Sequence, residues 1–187
     1  MTVATLPTHR LVVLDRDGVI NRESADFVKS ADEWIPLDGS IEAIARLSNA
    51  GFSVAIASNQ SGIARGLFDT TDLANMHSKL HALVADAGGR VDHIAICPHG
   101  PDDNCDCRKP LPGLLHQISA TLNVSLANAP VIGDSLRDLE AAQSAGARPI
   151  LVRTGNGRKT EDCLPAALST IEVYDRLGTA VTALLAE

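Results

Sequence analysis

The run Leu11-Val12-Val13-Leu14-Asp15-Arg16-Asp17-Gly18 constrains this chain more than any other. Four apolar residues, two of them β-branched, read as a short buried strand. Two carboxylates one residue apart follow at once, and Gly18 then lets the backbone turn sharply. A core strand with acids at its tip suits an open α/β sheet, where ligands bind beyond the carboxyl ends of the strands. Two carboxylates in one small site repel unless a cation or a shared proton relieves them. Mg²⁺, a hard cation that takes oxygen ligands, is the expected solution. Alone, Asp-x-Asp-Gly fits a plain strand entering a polar turn equally well, so the rest of the chain has to decide.

The remainder alternates strands with helices. A helix is expected over Ser40–Asn49, where Ile41, Ile44, Ala45 and Leu47 mark one face and Gly51 closes it. Phe52-Ser53-Val54-Ala55-Ile56-Ala57 reads as a second strand ending in Ser58-Asn59-Gln60-Ser61-Gly62. Asp69-Thr70-Thr71-Asp72 opens a helix that carries Leu73, Met76, Leu80, Leu83 and Val84 and stops at Gly88-Gly89. Further strands are expected at 91–96, 130–135, 149–152 and 171–173, and helices at 114–122, 136–145 and 177–186. The stretches 22–36 and 154–165 read as polar loops. Phe27, Val28 and Trp34 could anchor the first, which either lies over the site or merely connects. Strands alternating with helices imply a mostly parallel central sheet covered on both faces, a Rossmann-like α/β three-layer sandwich.

At 187 residues, 45% of them hydrophobic, one domain over 1–187 with a real core is expected. A formal net charge of −7 argues against nucleic acid and against an anionic membrane as partners. No apolar run approaches the ~20 residues of a membrane span. Met1 to Arg10 lacks a signal peptide's apolar centre, so a cytoplasmic location is expected, and a monomer with it.

Four polar signals fall at successive strand ends: Asp15/Asp17, Ser58-Asn59, Arg108-Lys109-Pro110 and Gly133-Asp134. Right-handed crossovers bring such tips to one edge of a parallel sheet. The set suits phosphoryl transfer to a carboxylate. Asp15 attacks phosphorus, Asp134 and Asp15 hold Mg²⁺ with a backbone carbonyl near Asp17, and Ser58, Asn59 and Lys109 surround the transferred oxygens. Asp17 protonates the leaving alcohol and later deprotonates water. Each piece has a plainer account: a capping turn at Ser58, a solvated Lys109, an N-terminal acid at Asp134. Ser135-x-x-Asp138 matches a capping box, so Asp138 stays open between support and catalysis. Four plain accounts at four correctly ordered strand ends is the weaker combination.

Three of the four cysteines sit in one loop, Cys97-x-His99-x5-Cys105-x-Cys107. In a reducing compartment that clustering favours metal over disulfides, and three thiolates with an imidazole complete a tetrahedral zinc set. A closed, sulfur-rich set is structural. It would fix the loop that delivers Arg108 and Lys109. Cys163 stands apart.

Asp15-Arg16-Asp17-Gly18, the run from Ser58 to Gly66, Cys107-Arg108-Lys109-Pro110 and Gly133-Asp134 resemble the four motifs of the haloacid-dehalogenase-like phosphatases. Within them the chain looks most like the D-glycero-D-manno-heptose 1,7-bisphosphate 7-phosphatases of lipopolysaccharide-heptose synthesis. The resemblance implies Asp15 as nucleophile, Asp17 as acid/base, and Asp134 with Asp15 and Asp17 as magnesium ligands. It implies Ser58 and Lys109 on the phosphoryl group and Arg108 in substrate recognition; Arg16, Asn59, Gln60, Ser61, Arg65 and Ser135 are expected as further substrate contacts, Ser135 standing where the family often has a lysine. Arg65 and Arg108 offer charge for a second phosphate. No separate cap domain is expected. The short zinc loop also resembles that of histidinol-phosphate phosphatases, whose cationic substrate Glu23 and Asp26 would suit. A zinc-stabilised interaction module without catalysis is the reading from a different class.

Overall fold

The computed structural model describes residues 10–187. The N-terminal stretch read above as lacking a signal peptide lies, up to residue 9, outside the described residues.

Six strands form one sheet in the order β3-β2-β1-β4-β5-β6, and every pairing is parallel. They are β1 (Arg10–Leu14), β2 (Phe52–Asn59), β3 (His93–Cys97), β4 (Pro130–Gly133), β5 (Arg148–Val152) and β6 (Glu172–Tyr174). The crossovers run through α1 (Ser40–Asn49), α2 (Thr70–Asp86), α3 (Gly113–Leu122), α4 (Leu136–Ser144) and the short α5 (Gly157–Asp162), and α6 (Leu177–Leu184) closes the chain. The chain steps outward from β1 to β3, then returns to lay β4 against the other side of β1. The order therefore reverses between β1 and β4, and such switch points open a crevice at the strand tips.

Side-chain alternation explains the three layers. Val12 and Leu14 of β1 pack with Ile44 and Leu47 of α1, Met76 and Leu80 of α2, and Val181 of α6. Leu11 and Val13 point the other way, to Leu114 and Ile118 of α3 and Ala141 and Ala142 of α4. Both faces of β1 are covered, so the strand reads as a continuous apolar run.

The expected elements appear with boundary shifts of at most two residues, apart from 154–165. That stretch contains α5, because Thr160 Oγ1 donates to the Asp134 carbonyl (2.8 Å) and Asn156 N donates to its carboxylate (2.7 Å). These contacts from another strand tip favour the turn, and local sequence does not announce them. The loop after β1 is pinned as well: Trp34 and Val28 are buried, and Lys79 of α2 donates to the carbonyls of Ala31 and Trp34. Among the described residues, no helix is long and apolar enough to cross a membrane.

Candidate active site

The tips of β1, β2 and β4 and the loop entering α3 surround a cavity of about 400 Å³. Asp15 follows β1 and Asp134 follows β4, the two strands at the switch point, and Asp15 N donates to the Ile132 carbonyl (2.9 Å). Gly18 is required by shape. Its φ is +82°, and a Cβ there would lie 2.1 Å from Asp134 Oδ2, so only glycine lets the first turn pass this close to the second acid.

Lys109 is buried and threads between the strand tips. Its ammonium donates to Asp15 Oδ1 (2.8 Å) and the Ala57 carbonyl (2.7 Å), and it pairs with Asp138 Oδ1 at 2.5 Å. Burial works against its charge, but Asp138 and Asp15 outweigh it and hold the ammonium well above its ordinary pKa. Asn59 clamps the main chain at this point. Its amide nitrogen donates to the Lys109 carbonyl and its oxygen accepts from Lys109 N, each at 3.1 Å. The side chain expected beside the transferred oxygens is thus engaged in presenting Lys109. Ser58 is largely buried but lines the cavity, and its hydroxyl accepts from Gln60 (2.7 Å).

Asp17 faces a different set of partners. Arg16 pairs with it through Nη2 at 2.9 Å, Asn21 Nδ2 donates at 2.8 Å, and Gln60 Nε2 at 2.9 Å. Burial opposes its charge, but Arg16 and these hydrogen bonds hold the carboxyl below the usual range. Arg16, read from sequence as a substrate contact, is 1% exposed and committed to Asp17. The carboxylates that do gather are Asp15, Asp134 and Asp138, each with an oxygen within 4.8 Å of the others, and Asp17 is not among them. The Asp17 carboxylate is turned toward Arg16, Asn21 and Gln60, which leaves its main-chain carbonyl free for the metal role expected from sequence.

Asp138, open in the sequence, lies at the centre of the site. It is buried, pairs with Lys109, and accepts from the Ser135 hydroxyl (2.6 Å) and amide (3.1 Å). Ser135, expected on substrate, lines the cavity but gives its hydroxyl to this capping box. Ser61, Arg65 and Arg108 line the cavity as expected. Glu23, Ser24 and Phe27 of the loop after β1 form one wall, so that loop does lie over the site. Sequence reasoning missed Arg137 at the rim and Asn156, which links Asp134 to Glu23. Arg137 had a signal, a cation in a helix's first turn; Asn156 had none.

The acids fit a divalent cation. Burial, offset by Lys109 and reinforced by Asp138, raises Asp15 to about 7. Burial with Asp15 and Asp138 raises Asp134 to about 8. A carboxyl raised in this way stabilises the fold fully below its unfolded value of 3.8 and loses that contribution as pH climbs to the folded value. Cation-free protein therefore loses stability from this pair between about pH 4 and about pH 8. Saturating Mg²⁺ is expected to raise the melting temperature by ~5–10 °C, with the increment growing from about pH 5 to about pH 8. Asp134→Asn should remove the increment. Thermal melts across that range check this, and a pH-independent increment would place the cation elsewhere.

The cysteine loop forms a compact donor set at the end of β3. Cys97 Sγ lies 3.7 Å from Cys105 Sγ, and His99 Nδ1 lies 3.6 Å from Cys97 Sγ and 3.3 Å from Cys107 Sγ. A disulfide needs about 2 Å, whereas the edges of a tetrahedron built on Zn–S bonds of ~2.3 Å are ~3.8 Å. Burial, with the neighbouring Cys107 thiol, pushes the Cys97 thiol up to about 12, a cost that a bound cation removes. Cys163 is exposed and outside this set.

This parallel sheet, with acids at the β1 and β4 tips and a lysine between them, is the frame of the haloacid-dehalogenase-like phosphatases. A HAD-hydrolase-like family model matches residues 106–180, and a polynucleotide kinase 3 phosphatase model matches 11–136. The D-glycero-beta-D-manno-heptose-1,7-bisphosphate 7-phosphatase of Bordetella bronchiseptica is 60% identical over 151 residues, 81% of this chain and 84% of that one. The enzyme of that name from Pseudomonas aeruginosa is 53% identical over 175 residues, covering 94% and 97%. A crystal structure of D,D-heptose 1,7-bisphosphate phosphatase from B. bronchiseptica with magnesium and phosphate superposes with a TM-score of 0.90. Identity there is 54%, over 95% of this chain and 98% of that one. The chain belongs to the D-glycero-beta-D-manno-heptose-1,7-bisphosphate 7-phosphatase family of haloacid-dehalogenase-like phosphatases.

Proposed function

We propose that this chain removes the 7-phosphate of D-glycero-D-manno-heptose 1,7-bisphosphate through an aspartyl-phosphate on Asp15. The observation that carries the reading is the Asp15 carboxylate in the cavity, held by Lys109 at 2.8 Å, with Arg65 and Arg108 lining the same space. Asp15 and Asp134 would hold Mg²⁺ with the Asp17 main-chain carbonyl, since Asp138 is engaged by Lys109 and Ser135. When bound, Mg²⁺ supplies positive charge that offsets repulsion between the phosphate and Asp15.

Asp15 attacks phosphorus, a P–O bond to the carboxylate forms, and the bond to the sugar O7 breaks. Lys109 and the Ser58 hydroxyl stabilise the equatorial oxygens. The alkoxide takes a proton from Asp17, which water and the incoming phosphate must first have protonated, given its low resting pKa. Asp17 then accepts a proton from water as the water oxygen attacks phosphorus of the acyl phosphate, which releases inorganic phosphate, frees the Asp15 carboxylate and leaves Asp17 protonated for the next turnover. Arg16, Asn21 and Gln60 position Asp17, and Asn59 positions Lys109. The cysteine set would hold a structural Zn²⁺ that stiffens the loop carrying Arg108 and Lys109.

We read the enzyme as a cytoplasmic monomer of one domain. A sugar bisphosphate does not diffuse through a bilayer, so it is hydrolysed where it is made, and a thiol cluster suits a reducing compartment. The test is magnesium-dependent phosphate release from both anomers of the heptose bisphosphate and from histidinol phosphate. The bisphosphate should be preferred by kcat/KM. Preference for histidinol phosphate would keep the mechanism but reassign the substrate, and Glu23 on the cavity wall is the group that would meet its amine.

A further inference from the structure

Beside the cavity over Asp15 lies a second hollow, also about 400 Å³, walled by Asn104, Pro110 and Leu111. Arg108 and Arg137 line both spaces and so stand between them. Arg108 is held there, its Nη1 donating to the His99 carbonyl at 3.2 Å.

Arg137 is unusual by local rules. It is the second residue of α4, where a cation faces the positive end of the helix dipole. Its neighbour Asp138 points inward to Lys109, while Arg137 is exposed. Among the described residues it forms no ion pair with a carboxylate. A cation placed against its own helix and left unpaired is a local conflict of the kind that marks a functional position. The charge layout says what it awaits. The deep end holds Asp15, Asp134 and Asp138, and the mouth holds Arg65, Arg108 and Arg137. Such a cavity suits a ligand with one phosphoryl group at the acids, through a cation, and a second anion at the guanidinium groups.

We propose that Arg137, acting with Arg108 on the same cavity wall, determines specificity by gripping the phosphate at the substrate's far end, the one that is not cleaved. This rests on the bisphosphate reading above. The test compares kcat/KM for heptose 1,7-bisphosphate and heptose 7-phosphate in the wild type, Arg137→Ala and Arg137→Lys, all with Mg²⁺. Arg137→Ala should lower the bisphosphate-to-monophosphate ratio about 10-fold or more, through KM more than kcat. Arg137→Lys should recover part of it, since the charge returns without the two-pronged geometry. A wild-type preference that Arg137→Ala leaves at the same ratio overturns the role of Arg137 alone. A wild-type ratio near one removes the bisphosphate reading itself, and this proposal with it.

Discussion

Asp15→Asn is expected to lower phosphate release by about 10⁴-fold or more while the protein still folds. The change is nearly isosteric and removes the carboxylate nucleophile that Lys109 holds in the cavity at 2.8 Å. The fold should tolerate it. Asp15 is raised to about 7 by burial and by nearby acids, so a neutral side chain there relieves repulsion with Asp134 in the cation-free protein. The checks are steady-state phosphate release, a thermal melt, and a quench experiment for acid-stable, base-labile phosphate on the protein. Full turnover by the variant would remove the aspartyl-phosphate mechanism and leave direct attack by water.

Lys109→Met is expected to damage both activity and stability, unlike Asp15→Asn. The ammonium sits between two carboxylates, at 2.8 Å from Asp15 and 2.5 Å from Asp138. Removing it leaves Asp138 buried without its counter-ion, and breaking such a pair costs about 3–5 kcal/mol. For a chain of this size that is a fall of ~6–20 °C in melting temperature. Loss of a donor aimed at the transferred phosphoryl group should lower kcat a further 10²–10³-fold, roughly. The double variant Lys109→Met/Asp138→Leu separates the two effects. It should recover stability, because no charge is stranded, and recover no activity. If the single variant melts at the wild-type temperature, Asp138 is not relying on Lys109 for its charge.

The sheet was legible because its strands are covered on both faces. Leu11 to Leu14 is apolar without interruption and Phe52 to Ala57 is broken only by Ser53, and the helices between carry 3.6-residue spacing with glycine stops at Gly51 and Gly88. The acids were legible for a related reason: a carboxylate directly after a buried strand has nowhere to go but the sheet edge. Distance along the chain hid the rest. Lys109 stands twelve residues beyond β3, and its path to Asp15 depends on the cysteine loop and on the Asn59 clamp. The helix at 157–162 depends on Asp134, another strand tip. Arg16 reads as a free cation beside two acids and is in fact sealed against Met76 and Asp17.

By itself, then, the amino-acid sequence determined which strands end in acids and on which edge of the sheet those acids meet. Strand burial, helix periodicity and glycine turns act over a few residues and are written locally. The division of labour among the charges was decided only by tertiary structure. Asp134 and Asp15 face each other, Asp138 turns to Lys109, Asp17 turns to Arg16, and Arg137 stays unpaired at the mouth. Charge interactions depend on distance and burial in three dimensions, so no spacing along the chain records them.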